Sequence, residues 1–316
     1  MSPESSPKPA APGDTPAAPP SDRAGRLAGV DRWMASNPWN PRLMPYLVYL
    51  GLLAVSQLAA SADPALIPAV SGLQLAIVGG MLWRYRRHTP EMNLKFHWSA
   101  LVTGVLLLPA WLYAGWLSNA AGGPFDPVLD THPIESMLAE SPALGWTAMS
   151  LRFCTMVLLV PLFEELFIRS GCLRGFSSPQ RCWTGLIQLA SDLPGVGEKI
   201  AMSPAGKRAN AAEPQFTAQL ESIPLGRVTW FGVVISTVIF ALAHHPRDWF
   251  GCVICGVVWS AMVWWLNPAD RPRKQDSGGI EAPRPNYGLG PVIWSHAIIN
   301  ALLWGYTLWT GNWEFL

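Results

Sequence analysis

Two adjacent glutamates and an arginine close an apolar run in "CTMVLLVPLFEELFIRSG" (residues 154–171). A charged side chain at membrane depth costs roughly 2.5–3.5 kcal/mol, so three together imply a use. On a helix Glu165 and Arg169 are four apart and share a face, where they can pair. Glu164 is turned away from Glu165 by about 100°, which leaves it an unpaired carboxylate. Two other apolar stretches carry polar pairs at the same spacing. "FALAHH" places Phe240 four residues before His244, and "SHAIIN" places His296 four residues before Asn300. A carboxylate beside an imidazole can activate water for attack on a carbonyl. A second imidazole and an amide can then donate hydrogen bonds to the developing oxyanion. Alternatively, Glu164, His244 and His296 are a zinc set with an open position for water. The bland readings are a structural ion cluster for Glu164, Glu165 and Arg169, and interhelical hydrogen bonding for His296 and Asn300. His245 reads as a helix-end neighbour of His244. His88, His97 and His132 fall in connections or at a span end.

These residues must be held by membrane helices. The 316-residue chain is 50% hydrophobic and 14% charged, with 17 Trp, where a soluble domain carries about 25% charged residues. The sequence predicts an all-α polytopic membrane helix bundle with about seven or eight transmembrane helices. Apolar runs near the spanning length of about 20 residues lie at 43–60, 64–83, 98–118, 148–170, 229–246, 249–266 and 288–310. An eighth, weaker or re-entrant helix is expected at 180–192. Trp at many span ends fits an interfacial aromatic belt. A net charge of +1 gives no reason to expect nucleic acid. The expected partners are the membrane lipid bilayer and a protein or peptide substrate.

Lys and Arg crowd the approach to the first span and the connections after spans two, four and six. Arg247 is the one cation in the alternate connections. The positive-inside rule then puts the N-terminus in the cytoplasm. Residues 1–28, rich in Pro, Ala and Ser at their start, read as a disordered cytoplasmic tail, ahead of a membrane domain at 43–316. The polar, Pro/Gly-punctuated stretch 191–226 reads as a long cytoplasmic loop, partly disordered. Five Cys make an odd number, and Cys252 and Cys255 sit inside an apolar run, so both read as small packing residues.

EExxxR, FxxxH and HxxxN, in that order on separate apolar helices, resemble the pattern of the CPBP intramembrane proteases, the family of the CAAX prenyl endopeptidases and bacterial Abi proteins. The resemblance covers about 98–316. The ending "SHAIINALLWGYTLWTGNWEFL" resembles the CAAX-protease-related subgroup that accompanies bacterial exosortase systems. This implies an intramembrane endopeptidase of the bacterial inner membrane, acting on a membrane-associated and possibly lipid-modified protein. Carried over by motif, Glu164 and His244 activate water, and His296 and Asn300 stabilise the oxyanion. Glu165, Arg169 and Phe240 support them. The resemblance implies no obligatory cofactor, with zinc as the alternative. The stretch between Arg169 and Phe240 is long for the family, which marks 191–226 as an insertion.

Two other classes compete. A proton-coupled transporter uses the same intramembrane Glu and His, but would often show internal repeats with matching broken helices, and none is visible. A non-catalytic membrane scaffold or immunity factor on this fold would keep its function in Glu164→Ala. One conflict follows from the expected spans. Glu164 and His296 fall toward the cytoplasmic side, and His244 toward the far end of span five.

Overall fold

The computed structural model of the protein describes residues 22–120, 133–216, 220–268 and 286–313. These residues are overwhelmingly helical, and no strand occurs among them. In chain order the elements are α1 (Asp22–Ser36), α2 (Asn40–Ala62), α3 (Ile67–Tyr85), α4 (Ser99–Ala120), α5 (Pro133–Glu140) and a composite helix α6. Helix α6 is α-helical at Pro142–Phe153, Val160–Glu165 and Leu173–Gly175, and π-helical at Cys154–Leu159 and Leu166–Cys172. Then follow α7 (Pro179–Ser191), α8 (Gly197–Met202), α9 (Pro204–Ala211), α10 (Trp230–Leu242), α11 (Trp249–Leu266) and α12 (Gly290–Thr310).

Four segments are long and apolar enough to cross a membrane: Asn40–Ala62, Pro64–His88, Ser99–Leu117 and Pro246–Leu266. The protein is an integral membrane helix bundle. Large apolar side chains such as Leu58, Trp83 and Leu106 are exposed on these helices, as expected of surfaces solvated by lipid. The other three expected spans fall on α6, α10 and α12. Each departs from a plain apolar span: α6 holds buried charges and π turns, α10 has only 13 residues, and α12 carries His296 and Asn300.

Helix α6 is the centre of the core. Phe163, Leu166, Ile168 and Leu173 are buried with Phe240 from α10, Cys252, Cys255 and Trp259 from α11, and Ile293 and Ile299 from α12. Cys252 and Cys255 are free thiols within this packing. Close crossings need small residues. A Cβ on Gly104 of α4 would lie 2.7 Å from Ile298 of α12, and one on Gly256 of α11 would lie 2.7 Å from Thr237 of α10.

The helix bounds differ from those that created the depth conflict. Helix α6 starts earlier and ends later than the expected span 148–170, so Glu164 lies well inside it. The expected span 229–246 is instead a short helix. Its start is capped by Thr229, whose hydroxyl accepts from Gly232 N–H, and it ends at Leu242. His245 is extended before Pro246, the conformation a following proline favours, and the chain turns there into α11. A 13-residue helix is about 20 Å long, short of the roughly 30 Å hydrocarbon core. His244 therefore sits in a turn against the bundle interior rather than at the far end of a full span.

Two further expectations need correction. Helix α1 begins at Asp22, so residues 22–28 of the expected disordered tail are helical, and its remainder, residues 1–21, lies outside the described residues. Helix α1 is held because Asp31 accepts hydrogen bonds from Arg84 and Tyr85 at the end of α3. The stretch 191–226 is no bare loop, because it contains α8 and α9. Ser203 caps α9, its hydroxyl accepting from Gly206 N–H ahead of the helix-starting Pro204. The Gln188 amide donates to Ala209 O at 2.8 Å, and its carbonyl accepts from Gln215 N–H at 3.0 Å. Leu220 and Ile223 are buried beyond it.

A second charge cluster ties this insertion to α6. The Glu91 carboxylate lies 2.7 Å from an Arg42 guanidinium nitrogen and 3.5 Å from one of Arg174. Ser170 donates to the same Glu91 oxygen and accepts from both arginines. Arg174 also donates to the carbonyls of Ile223 and Leu220 at 2.9 and 3.0 Å.

Candidate active site

The local shape of α6 follows from its sequence. Pro161 has no N–H to donate and its ring crowds the carbonyl four residues back. The preceding turn is widened, with Val160 N–H bonding Thr155 O, five residues back. A second widened stretch follows the glutamates, and Leu173 N–H bonds Ile168 O. Such π turns occur mainly at functional sites. Here they bracket Glu164 and Glu165.

Glu165 and Arg169 are fully buried, and Glu165 Oε2 lies 3.2 Å from Arg169 Nε. The pairing expected from their spacing is present. The Arg169 guanidinium also lies over the rings of Phe240 and Trp259, 5.3 and 5.8 Å from their centroids. Aromatic faces carry the negative part of the ring quadrupole and so offset part of the cation's desolvation. The other Glu165 oxygen, Oε1, is 2.9 Å from His296 Nδ1. A carboxylate only accepts, so this bond fixes the proton on Nδ1 and turns Nε2 away from Glu165. His296 Nε2 is 3.9 Å from Glu164 Oε2, beyond direct hydrogen-bond length. Glu164 Oε2 and Glu165 Oε2 are both buried without a hydrogen-bond partner among the described residues, Glu165 Oε2 keeping only its ion pair with Arg169. The two glutamates thus differ in how closely they are paired: Glu165 has Arg169 and His296 at 3.2 and 2.9 Å, whereas Glu164 Oε2 lies 3.9 Å from His296 Nε2.

His244 Nδ1 is 2.8 Å from Phe240 O. A carbonyl cannot donate, so Nδ1 carries the proton, and in the neutral ring Nε2 is a base. The His244 ring lies edge-on to Phe240 at 4.6 Å, and Phe240 lies edge-on to His296 at 6.4 Å. Both imidazoles and Arg169 act electrostatically on Glu164. Phe240 thus packs against both histidine rings, a packing role for the large apolar residue at the first position of FxxxH. Asn300 donates one amide hydrogen to Met156 O in the first π turn, at 2.7 Å. An Asn amide has two such hydrogens, so one remains. His245 is exposed and accepts from Arg247 N–H.

The structure therefore gathers Glu164, Glu165, Arg169, Phe240, His244 and His296 at one place, with Asn300 one helical turn beyond His296. It also adds residues that spacing could not reveal. The Trp259 indole stacks on His296 at 4.6 Å and 25°, and its N–H donates to Ser295 at 3.0 Å. The Ser295 and Thr103 hydroxyls lie 2.8 Å apart, which ties this stack to α4. Among the described residues no three His, Cys, Asp or Glu are grouped as a metal site requires.

Residues 146–302 match the family model of the type II CAAX prenyl endopeptidases, Rce1-like. That part of the chain belongs to this family. The matched region holds all three motifs, although it is narrower than the expected 98–316. Comparison with curated proteins and with solved structures returns no match. The protein is thus a membrane protein of a protease family, and the family's substrates are proteins.

Proposed function

We propose that the protein is a glutamate-dependent intramembrane endopeptidase that hydrolyses a peptide bond of a membrane-associated, lipid-modified protein. The observation that carries this is the contrast between Glu165, whose oxygens lie 3.2 Å from Arg169 and 2.9 Å from His296, and Glu164, whose buried Oε2 has no hydrogen-bond partner and lies 3.9 Å from His296 Nε2. A buried carboxylate without a partner is costly, and a water nucleophile is a chemical reason to keep one.

In this reading Glu164 takes a proton from water as the water oxygen attacks the scissile carbonyl carbon. His244 Nε2 orients that water. The resulting oxyanion accepts hydrogen bonds from His296 Nε2–H and from the second amide hydrogen of Asn300. Glu165 stabilises the imidazolium of His296, and Arg169 holds Glu165 in place. The tetrahedral intermediate collapses by breaking the C–N bond, and the proton on Glu164 passes to the leaving amine. The carboxylate is then regenerated for the next water.

The basic connections favour a cytoplasmic N-terminus, and the exosortase-type ending favours a sorted protein of a bacterial inner membrane as substrate. The test is cleavage of a quenched fluorogenic, lipid-modified peptide by the purified protein in detergent, with and without a zinc chelator. Cleavage by the wild type in both conditions and none by Glu164→Ala is expected. Loss on chelation overturns the metal-free mechanism. Full activity in Glu164→Ala overturns the role of Glu164, and cleavage by neither protein favours the scaffold reading.

A further inference from the structure

Helix α7 has two unlike faces. Its inner face is covered: Gly185 lies beneath the Phe216 ring, and Gln188 is bonded to the chain after α9. Its other face carries Trp183, Leu186 and Leu189, continued by Leu193 and Val196 in the turn beyond. All five are between 46% and 67% exposed. Positions 183, 186 and 189 fall within roughly one third of the helix circumference at 3.6 residues per turn. The stripe is thus one-sided and contiguous, of the kind that marks an interaction site.

What covers it follows from where the helix starts. Only residues 176–178 separate α7 from the end of the buried helix α6. At that point Thr229 donates its hydroxyl hydrogen to Ser177 O at 2.7 Å, and Trp230 begins α10. So α6 leaves the bundle, α10 enters it and α7 begins, all at one level. Trp230 is 74% exposed there, as an aromatic at the membrane–water boundary would be. With 13 residues, α7 is too short to cross the hydrocarbon core, and Arg181 and Gln188 disfavour deep insertion.

We infer that α7 lies along the bilayer surface with Trp183, Leu186, Leu189 and Leu193 sunk into the lipid at the headgroup boundary. It acts as an interfacial anchor for the inserted segment 191–226. Amphipathic helices of this kind bury their apolar face by about 5–10 Å. The anchor holds α8 and α9 beside the end of the helix that carries Glu164. It does not depend on the hydrolytic reading.

The test uses the full chain in vesicles of phosphatidylcholine and phosphatidylglycerol. An environment-sensitive fluorophore is attached at Leu186→Cys, in a background where the half-buried Cys154 and Cys182 are Ser. Lys207→Cys on α9 serves as the exposed control, and Leu189→Cys replaces Leu186→Cys should the latter fail to fold. Quenching is compared for aqueous iodide, a nitroxide near the lipid headgroup and a nitroxide at the acyl-chain end. The label on the stripe is expected to lose most emission to the headgroup-level nitroxide and little to iodide, with the reverse at Lys207→Cys. Stronger quenching by iodide overturns the anchor in favour of a solvated face. Protection from all three quenchers overturns it in favour of a protein cover. Stronger quenching from the chain end overturns it in favour of a deeply inserted helix.

Discussion

Residue by residue, the site rests on which hydrogen bonds are already spent. Asn300 uses one amide hydrogen on Met156 O, which aims the other and also braces the first π turn. Replacing Asn300 by Ala is expected to lower turnover about 100- to 1,000-fold, the usual cost of removing an oxyanion donor. The measurement is kcat on the fluorogenic peptide beside a melting curve. A barely measurable loss of kcat assigns Asn300 to packing. Glu164, Glu165, Arg169, Phe240, His244, His296 and Asn300 were all legible in the sequence, because charged and polar residues four apart in apolar runs are conspicuous. Trp259 was not. It is one of 17 Trp, in an apolar run where its stacking on His296 depends on how α11 meets α12.

At the scale of elements, the crossing of α10 and α11 sets where His244 lies. A methyl group at Gly256 would press on Thr237 at 2.7 Å, forcing α10 outward and carrying His244 with it. Gly256→Ala is expected to reduce kcat/KM by about 100-fold, since a shift near 1 Å at a catalytic group can cost that much. Gly80→Ala in α3 meets nothing within 4 Å and should leave kcat/KM unchanged. Equal effects at the two positions would remove the crossing from the account. Boundaries were harder to read than motifs. The apolar run continues past Leu242, so α10 looked like a full span, and the stop comes from the extended His245 ahead of Pro246. The insertion looked like a loop because its composition is polar. Its helices depend on the Ser203 cap, which is local, and on Gln188, which reaches across more than 20 residues.

For the whole molecule, one largely covered carboxylate outside the site, paired with two buried arginines, joins four parts of the chain. Glu91 balances Arg42 from α2 and Arg174 from α6, with Ser170 between them, and Arg174 grips the insertion. Removing one partner from a buried ion cluster costs about 3–5 kcal/mol, because the remaining charges are left uncompensated. Glu91→Gln is therefore expected to lower the melting temperature in detergent clearly, with cleavage lost only in step with the folded fraction. A normal melt with cleavage abolished would instead assign Glu91 to chemistry. Composition made the membrane class legible, while this cluster was invisible: its members are more than 40 residues apart in sequence, except Ser170 and Arg174.

In the proposed mechanism the two neighbouring glutamates have different tasks, and one paired measurement separates them. Glu164→Gln and Glu165→Gln are purified side by side, and each is assayed for peptide cleavage and thermal unfolding. The account predicts that Glu164→Gln unfolds like the wild type and does not cleave. It predicts that Glu165→Gln melts at a lower temperature, because buried Arg169 loses its counter-ion. Cleavage by a normally folded Glu164→Gln protein, or a Glu165→Gln protein as stable as the wild type, would contradict it.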